Sequence, residues 1–231
     1  MRCYNCGKEL SGENSTKEHI PAKTLFEGYD DKFKKNRITV PSCFECNNKY
    51  SPTDEEFRNM IGIIAKHNEN NTITEKSVRS ILKKDQNHTR LYFNPDGIVT
   101  GIRFSQQSFE EFNKKNFKGL FFHQYGYPLP NDYVLLVNID ENDDTELTSY
   151  IISYLKDLFE WKYSGHKDIF SYCLQPFRYG ITNTGKKDLE LNKDENIIVG
   201  LLVYNREHAA LVYAIRKEFL AEIKRDRLEM R

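Results

Sequence analysis

The chain has 231 residues, of which 39% are hydrophobic, 13% aromatic and 29% charged, and its 34 basic and 34 acidic side chains cancel. This is the composition of a folded protein with enough Phe and Tyr for a core. It excludes an argument for nucleic acid from bulk charge, so any grip on a polyanion must come from a local patch or a metal. No apolar signal region follows Met1, and the longest apolar run, 197–204, is of strand length. The expectation is a cytoplasmic protein with no membrane contact.

Residues 1–50 are rich in loops and poor in apolar periodicity, which predicts a segment that needs a staple in place of a core. The staple is legible. Cys3-Tyr4-Asn5-Cys6-Gly7 and Cys43-Phe44-Glu45-Cys46 are both C-x-x-C, and the fifth cysteine, Cys173, stands alone. In a reducing compartment, cysteine pairs at this spacing bind metal more often than they form disulfides. Two residues between thiolates let both sulfurs of one tight turn face one ion, and Gly7 supplies the backbone angle such a turn needs. Cys3, Cys6, Cys43 and Cys46 thus predict a closed, structural Zn²⁺ site, with no open position for chemistry. Cys173 reads as a core residue.

A helix is expected over 52–67, where Phe57, Met60, Ile61, Ile64 and Ala65 recur at helical spacing behind the acidic turn Asp54, Glu55 and Glu56. A polar break over 68–71 precedes a second helix from Thr72 to about Lys84, opened by a capping-box pattern, Thr72-x-x-Glu75. Strands at 90–94 and 98–104 flank Pro95-Asp96-Gly97, a hairpin signal. Helices follow at 109–117 and 145–159, strands at 133–139, 170–177, 197–204 and 209–215, and a charged helix at 216–229. The fold class is α+β, with a module over 1–67 and a larger α+β region over 68–231 carrying a mainly antiparallel sheet.

Between the knuckles lies Thr16-Lys17-Glu18-His19-Ile20-Pro21, then Asn36-Arg37-Ile38-Thr39-Val40-Pro41, and the second knuckle runs into Asn47-Asn48-Lys49. In this order the chain resembles the zinc-knuckle HNH endonucleases, in their EH-x-P form, over about residues 1–58. The resemblance implies a ββα-metal (treble-clef) module and hydrolysis of phosphodiester bonds, most often in double-stranded DNA. It implies that His19 is the general base, that Glu18 and Asn47 hold a divalent ion, and that Asn36 steadies the loop carrying His19. Glu18 departs from the commoner Asp, and Asn36 stands two residues off the common register, where Ile38 takes its place. Two protein ligands, with water and phosphate in the remaining positions, suit Mg²⁺ or Mn²⁺. Asp54 or Glu55 is either a further metal carboxylate or part of an acidic first turn.

Lys34, Lys35 and Arg37 form a local basic cluster with Lys32 around Phe33, read either as phosphate contacts or as a solvated loop balanced by Asp30 and Asp31. A duplex cut calls for two active sites, which suggests a homodimer. The alternative to the enzyme is a treble-clef zinc module that binds nucleic acid or protein, with His19 a turn residue.

Overall fold

The computed structural model describes residues 1–64, 71–84, 90–96, 99–137, 161–177, 196–206 and 208–221. The fold is mixed α/β with antiparallel sheets. Strand β1 (Ser15–Ile20) pairs with β2 (Ile38–Cys43), and between them lie a 3₁₀ turn (Lys23–Phe26) and a short helix α1 (Asp31–Lys34). Helix α2 (Phe44–Lys49) follows at once, and α3 (Ser51–Ile64) continues beyond Tyr50. Helix α4 (Asn71–Lys84) packs on α3, and β3 (Leu91–Phe93) and β4 (Val99–Ile102) form the expected hairpin. A long helix α5 (Gln106–Tyr125) then leads to a sheet of β5 (Tyr133–Val137), β6 (Lys162–Tyr163), β7 (Phe170–Phe177), β8 (Ile197–Tyr204) and β9 (His208–Arg216). Its strand order is β5-β9-β8-β7-β6, every pair antiparallel. A final helix starts at Lys217. The helix expected over 145–159 lies outside the described residues, as do 65–70, 97–98, 138–139 and 222–229 of the expected elements.

The 109–117 expectation underestimates α5, whose ends are set by local chemistry. Ser105 Oγ accepts from Ser108 N–H at 3.1 Å, and Gly126, at φ 80°, caps the other end by donating to Phe122 O at 2.8 Å. The aromatic run 121–125, which alone reads as a strand or a helix end, is the last turn of this helix.

Helix α5 is the spine of the molecule. A Cβ on Gly119 would collide with Ile20 of β1, and one on Gly200 of β8 would lie 2.7 Å from Phe117. These two missing side chains let α5 touch the N-terminal hairpin on one side and the sheet on the other. Phe112 stacks on Phe57 of α3 with centroids 3.8 Å apart, and Tyr204 of β8 meets Phe57 edge-on at 4.7 Å. The Tyr204 hydroxyl donates to Asn113 Oδ1 at 2.9 Å and accepts from Asn116 Nδ2 at 3.2 Å, which ties β8 to α5 through a buried hydroxyl.

The N-terminal segment does more than the sequence suggests. Tyr4, Ile20, Ala22, Leu25, Phe26, Ile38 and Val40 join one hydrophobic cluster with Phe57, Phe112, Phe117 and the sheet. Its few apolar residues are therefore not a core of their own but one wall of the shared core. The segments on either side of the expected boundary at residue 67 meet in that cluster. Cys173 is buried in β7, and burial pushes its thiol up to about 12.

Candidate functional site

The first knuckle turns tightly because Gly7 adopts φ 72° and its N–H donates to Cys3 O at 3.0 Å. Tyr4 N–H donates to Pro41 O at 2.9 Å, which docks this knuckle beside β2. The second knuckle spans the end of β2 and the start of α2. Cys43 is the N-cap of α2, and its Sγ accepts from Cys46 N–H at 3.4 Å. The four sulfurs of Cys3, Cys6, Cys43 and Cys46 lie within 4.8 Å of one another, and Cys6 and Cys43 Sγ are 3.9 Å apart. Thiolates about 2.3 Å from a tetrahedral zinc stand roughly 3.8 Å apart, so the cluster fits Zn²⁺. Burial raises the Cys3 thiol, but N–H donors from Cys6, Cys43 and Asn5 outweigh it and bring it down to about 7. Asn5 donates to Cys46 Sγ at 3.3 Å, and its Oδ1 accepts from Lys118 Nζ of α5 at 3.1 Å. Such outer partners orient ligands.

Glu18 and His19 point to opposite sides of β1, as adjacent strand residues must. Glu18 faces inward with Thr16 and Ile20 and is buried. It does not face an open site. Its Oε1 accepts from Lys115 Nζ of α5 at 3.2 Å, and the same ammonium donates to Asp54 Oδ1 of α3 at 2.5 Å. The Lys115 side chain is 0% exposed and its Nζ lies 5.6 Å from the Tyr50 ring centroid and 5.7 Å from that of Phe112. Burial pushes both carboxyls up, and the charge of Lys115 pulls them back. Glu18 Oε2 and the hydroxyl of Tyr4 are buried in this cluster without hydrogen-bond partners.

His19 lies on the outer face of the hairpin, opposite Thr39 in register. Burial lowers its pKa, and the cations of Arg37 and Lys23 lower it further. Both effects favour the neutral imidazole. Its Nδ1 is buried with no hydrogen-bond partner among the described residues. Arg37 sits over Phe26, with its guanidinium carbon 5.5 Å from the ring centroid, and its Nε donates to Lys34 O at 3.1 Å. Lys23, Lys34, Arg37 and Lys76 line a cavity of about 290 Å³, against the single carboxylate of Glu27.

Asn47 stands on α2, and its Nδ2 donates to Thr16 Oγ1 at 3.2 Å, toward the same face of β1 as Glu18. Asn36 is exposed at φ 56°. Its carbonyl accepts from Gly165 N–H at 3.3 Å, and its side chain makes no bond to β1. Lys35 is exposed, and Lys34 pairs with Asp31 at 3.3 Å. Glu55 accepts from Ser80 Oγ at 2.7 Å and Lys84 Nζ at 2.6 Å, so it ties α3 to α4. The structure thus gathers the four cysteines, sets Glu18 and Asn47 on one face of the hairpin, puts His19 on the other, and leaves Asn36 apart.

Lys115, Lys23 and Asn5 are the residues that sequence reasoning misses. Lys115 had one signal, its place three residues after Phe112 beside an apolar helical stripe. Lys23 stands two residues beyond Pro21 of Glu18-His19-Ile20-Pro21, and Asn5 lies inside a knuckle.

Searches among known proteins return no matching family model, no matching curated protein and no matching solved structure. Among the described residues no helix is long and apolar enough to cross a membrane.

Proposed function

We propose that this protein is an endonuclease that hydrolyses phosphodiester bonds, with double-stranded DNA as its expected substrate. The observation that carries the reading is the place of His19, near the end of a hairpin joined to the four-cysteine cluster and beside the cations of Arg37 and Lys23. A general base must be unprotonated at working pH, and a phosphate needs cations beside it. His19 takes a proton from water, the resulting hydroxide attacks phosphorus, and the bond to the leaving oxygen breaks as that oxygen takes a proton from solvent. Arg37 and Lys23 offset the charge that grows on the phosphate. The order of knuckle, hairpin, knuckle and helix supports a treble-clef, ββα-metal module over this segment.

The expected ligands of Mg²⁺ or Mn²⁺ do not gather beside His19: a divalent ion would neutralise the phosphate, but Asn47 lies with Glu18 on the opposite face of the hairpin. Glu18 does not fit, because the buried ammonium of Lys115 already holds it and a second cation in contact would be repelled.

That same lock favours a second reading, a zinc module that binds nucleic acid without cutting it. Cleavage of duplex DNA, single-stranded DNA and RNA by the zinc-loaded protein, beside His19→Ala with unchanged zinc content, separates the two. Cleavage lost in the variant supports the enzyme. Equal behaviour of the two proteins refutes it.

A further inference from the structure

We propose that the groove beside His19 receives an unpaired nucleotide, its base stacked on Trp161 and Tyr163 and its phosphate held by Arg37. This rests on the reading of the chain as one that acts on nucleic acid, and it favours a single-stranded stretch over the paired duplex as what the groove holds.

The groove has a volume of about 570 Å³, within the roughly 300–1,000 Å³ of sites that enclose a small ligand. Trp161 and Tyr163 form one wall and are 46% and 56% exposed. They flank Lys162 at the β6 edge of the five-stranded sheet, which pairs only with β7 among the described residues. Scattered exposed aromatics need no explanation. These two share a groove with Arg37, Lys162 and His123, and no carboxylate among the described residues lines it. Aromatic faces beside cations are complementary to a base and its phosphate.

The groove lies next to the proposed base. Thr39, which lines it, is the cross-strand partner of His19, so both project from the same face of the hairpin. Arg37 links the groove to the smaller cavity with Lys23, Lys34 and Lys76. A chain whose base sits on Trp161 can therefore pass its phosphate by Arg37 toward His19.

The walls are fixed before any ligand arrives. Ile38 N–H donates to Ser164 Oγ at 2.9 Å, and Gly165 N–H donates to Asn36 O at 3.3 Å. Gly165 has φ 73°, and a Cβ there would lie 2.8 Å from Phe33 O and 3.0 Å from Arg37 Cγ. Asn36 thus acts as a wall and a hinge pin of the groove in place of steadying His19.

Trp161 is the only tryptophan in the chain, so its fluorescence reports on the groove alone. The test titrates zinc-loaded full-length His19→Ala with a single-stranded oligonucleotide of about twelve residues, as DNA and as RNA, and with the blunt DNA duplex. The expected result is quenching of Trp161 by a single strand, with binding about tenfold tighter than that of the duplex. Quenching by DNA, by RNA or by both supports the site and names its source. Trp161→Ala and Tyr163→Ala, followed by anisotropy of a labelled strand, each weaken that binding roughly five- to a hundredfold, whereas Trp161→Phe, which keeps a stacking face, stays within about threefold of the parent. No quenching when anisotropy shows saturation overturns the proposal. So does unchanged affinity in alanine variants that keep their zinc and circular dichroism. The nuclease reading fails separately: quenching by a strand that the wild type never cuts leaves the groove and removes the enzyme.

Discussion

Lys115→Met probes the least expected feature of the molecule. One ammonium, wholly buried, is shared by Glu18 at 3.2 Å and Asp54 at 2.5 Å. Methionine keeps most of the volume and removes the charge. Removing one partner from a buried pair costs about 3–5 kcal/mol, because it strands the other charge. For a chain of this size that corresponds to a fall in Tm of roughly 6–20 °C. Burial already raises both carboxyls, and the variant loses the charge that holds them down, so both rise further. A carboxyl raised in the fold favours folding while protonated, and that contribution is lost as pH rises through its folded value. The deficit is therefore larger at about pH 8 than at about pH 5. Urea denaturation at both values measures it. The triple change Glu18→Gln, Asp54→Asn, Lys115→Met recovers most of the loss. A deficit below about 1 kcal/mol, or one independent of pH, would refute the shared ammonium.

Other outcomes follow from the same geometry. The purified chain carries one zinc, counted by colorimetric release, and Cys43→Ser loses it together with the cooperative unfolding of the whole protein, since Tyr4, Ile20 and Val40 sit in the shared core. The pH profile of cleavage has an acidic limb whose midpoint lies below the ordinary histidine value of 6.5, because the lowered pKa of His19 keeps the base neutral further into acid. Rates rise with pH below that midpoint and level off above it, and a midpoint well above 6.5 removes His19 as the base. Gly119→Val costs about 1–3 kcal/mol or more by forcing α5 off Ile20, and it lowers cleavage as well because Ile20 adjoins His19. Arg37→Gln weakens DNA binding and reduces its salt dependence by about one counterion, as measured by titration at several salt concentrations.

What the sequence made legible is what lies close along the chain. The two C-x-x-C knuckles carry their geometry within four residues each, and the four sulfurs do meet. Strands β7 and β8 match their expected bounds, and for β8 the reason is plain: an apolar run rich in Ile and Val lies between Asn196 and Asn205. The site is less legible where it depends on distance. Lys115 reaches Glu18 across 97 positions, and no local pattern marks a lysine as the counter-ion of two buried acids. The role of Asn36 fails to transfer for a related reason. A left-handed turn residue whose carbonyl binds Gly165 serves the junction with the sheet, which the N-terminal motif does not encode. The expected helix over 109–117 covers only the middle of α5, because the aromatic run after it has no period that separates strand from helix.

Nicking of supercoiled plasmid DNA by the zinc-loaded protein, with Mg²⁺, with Mn²⁺ and with neither, beside His19→Ala of equal zinc content, tests the central claim most directly. The account predicts nicking by the wild type that is lost in the variant. Nicking that requires the divalent ion would mean that the ion is held on the His19 face by groups other than Glu18 and Asn47, whereas nicking without it would leave the phosphate to Arg37 and Lys23. Nicking that persists in His19→Ala, or none by either protein on any of these terms, contradicts His19 as the base of a nuclease.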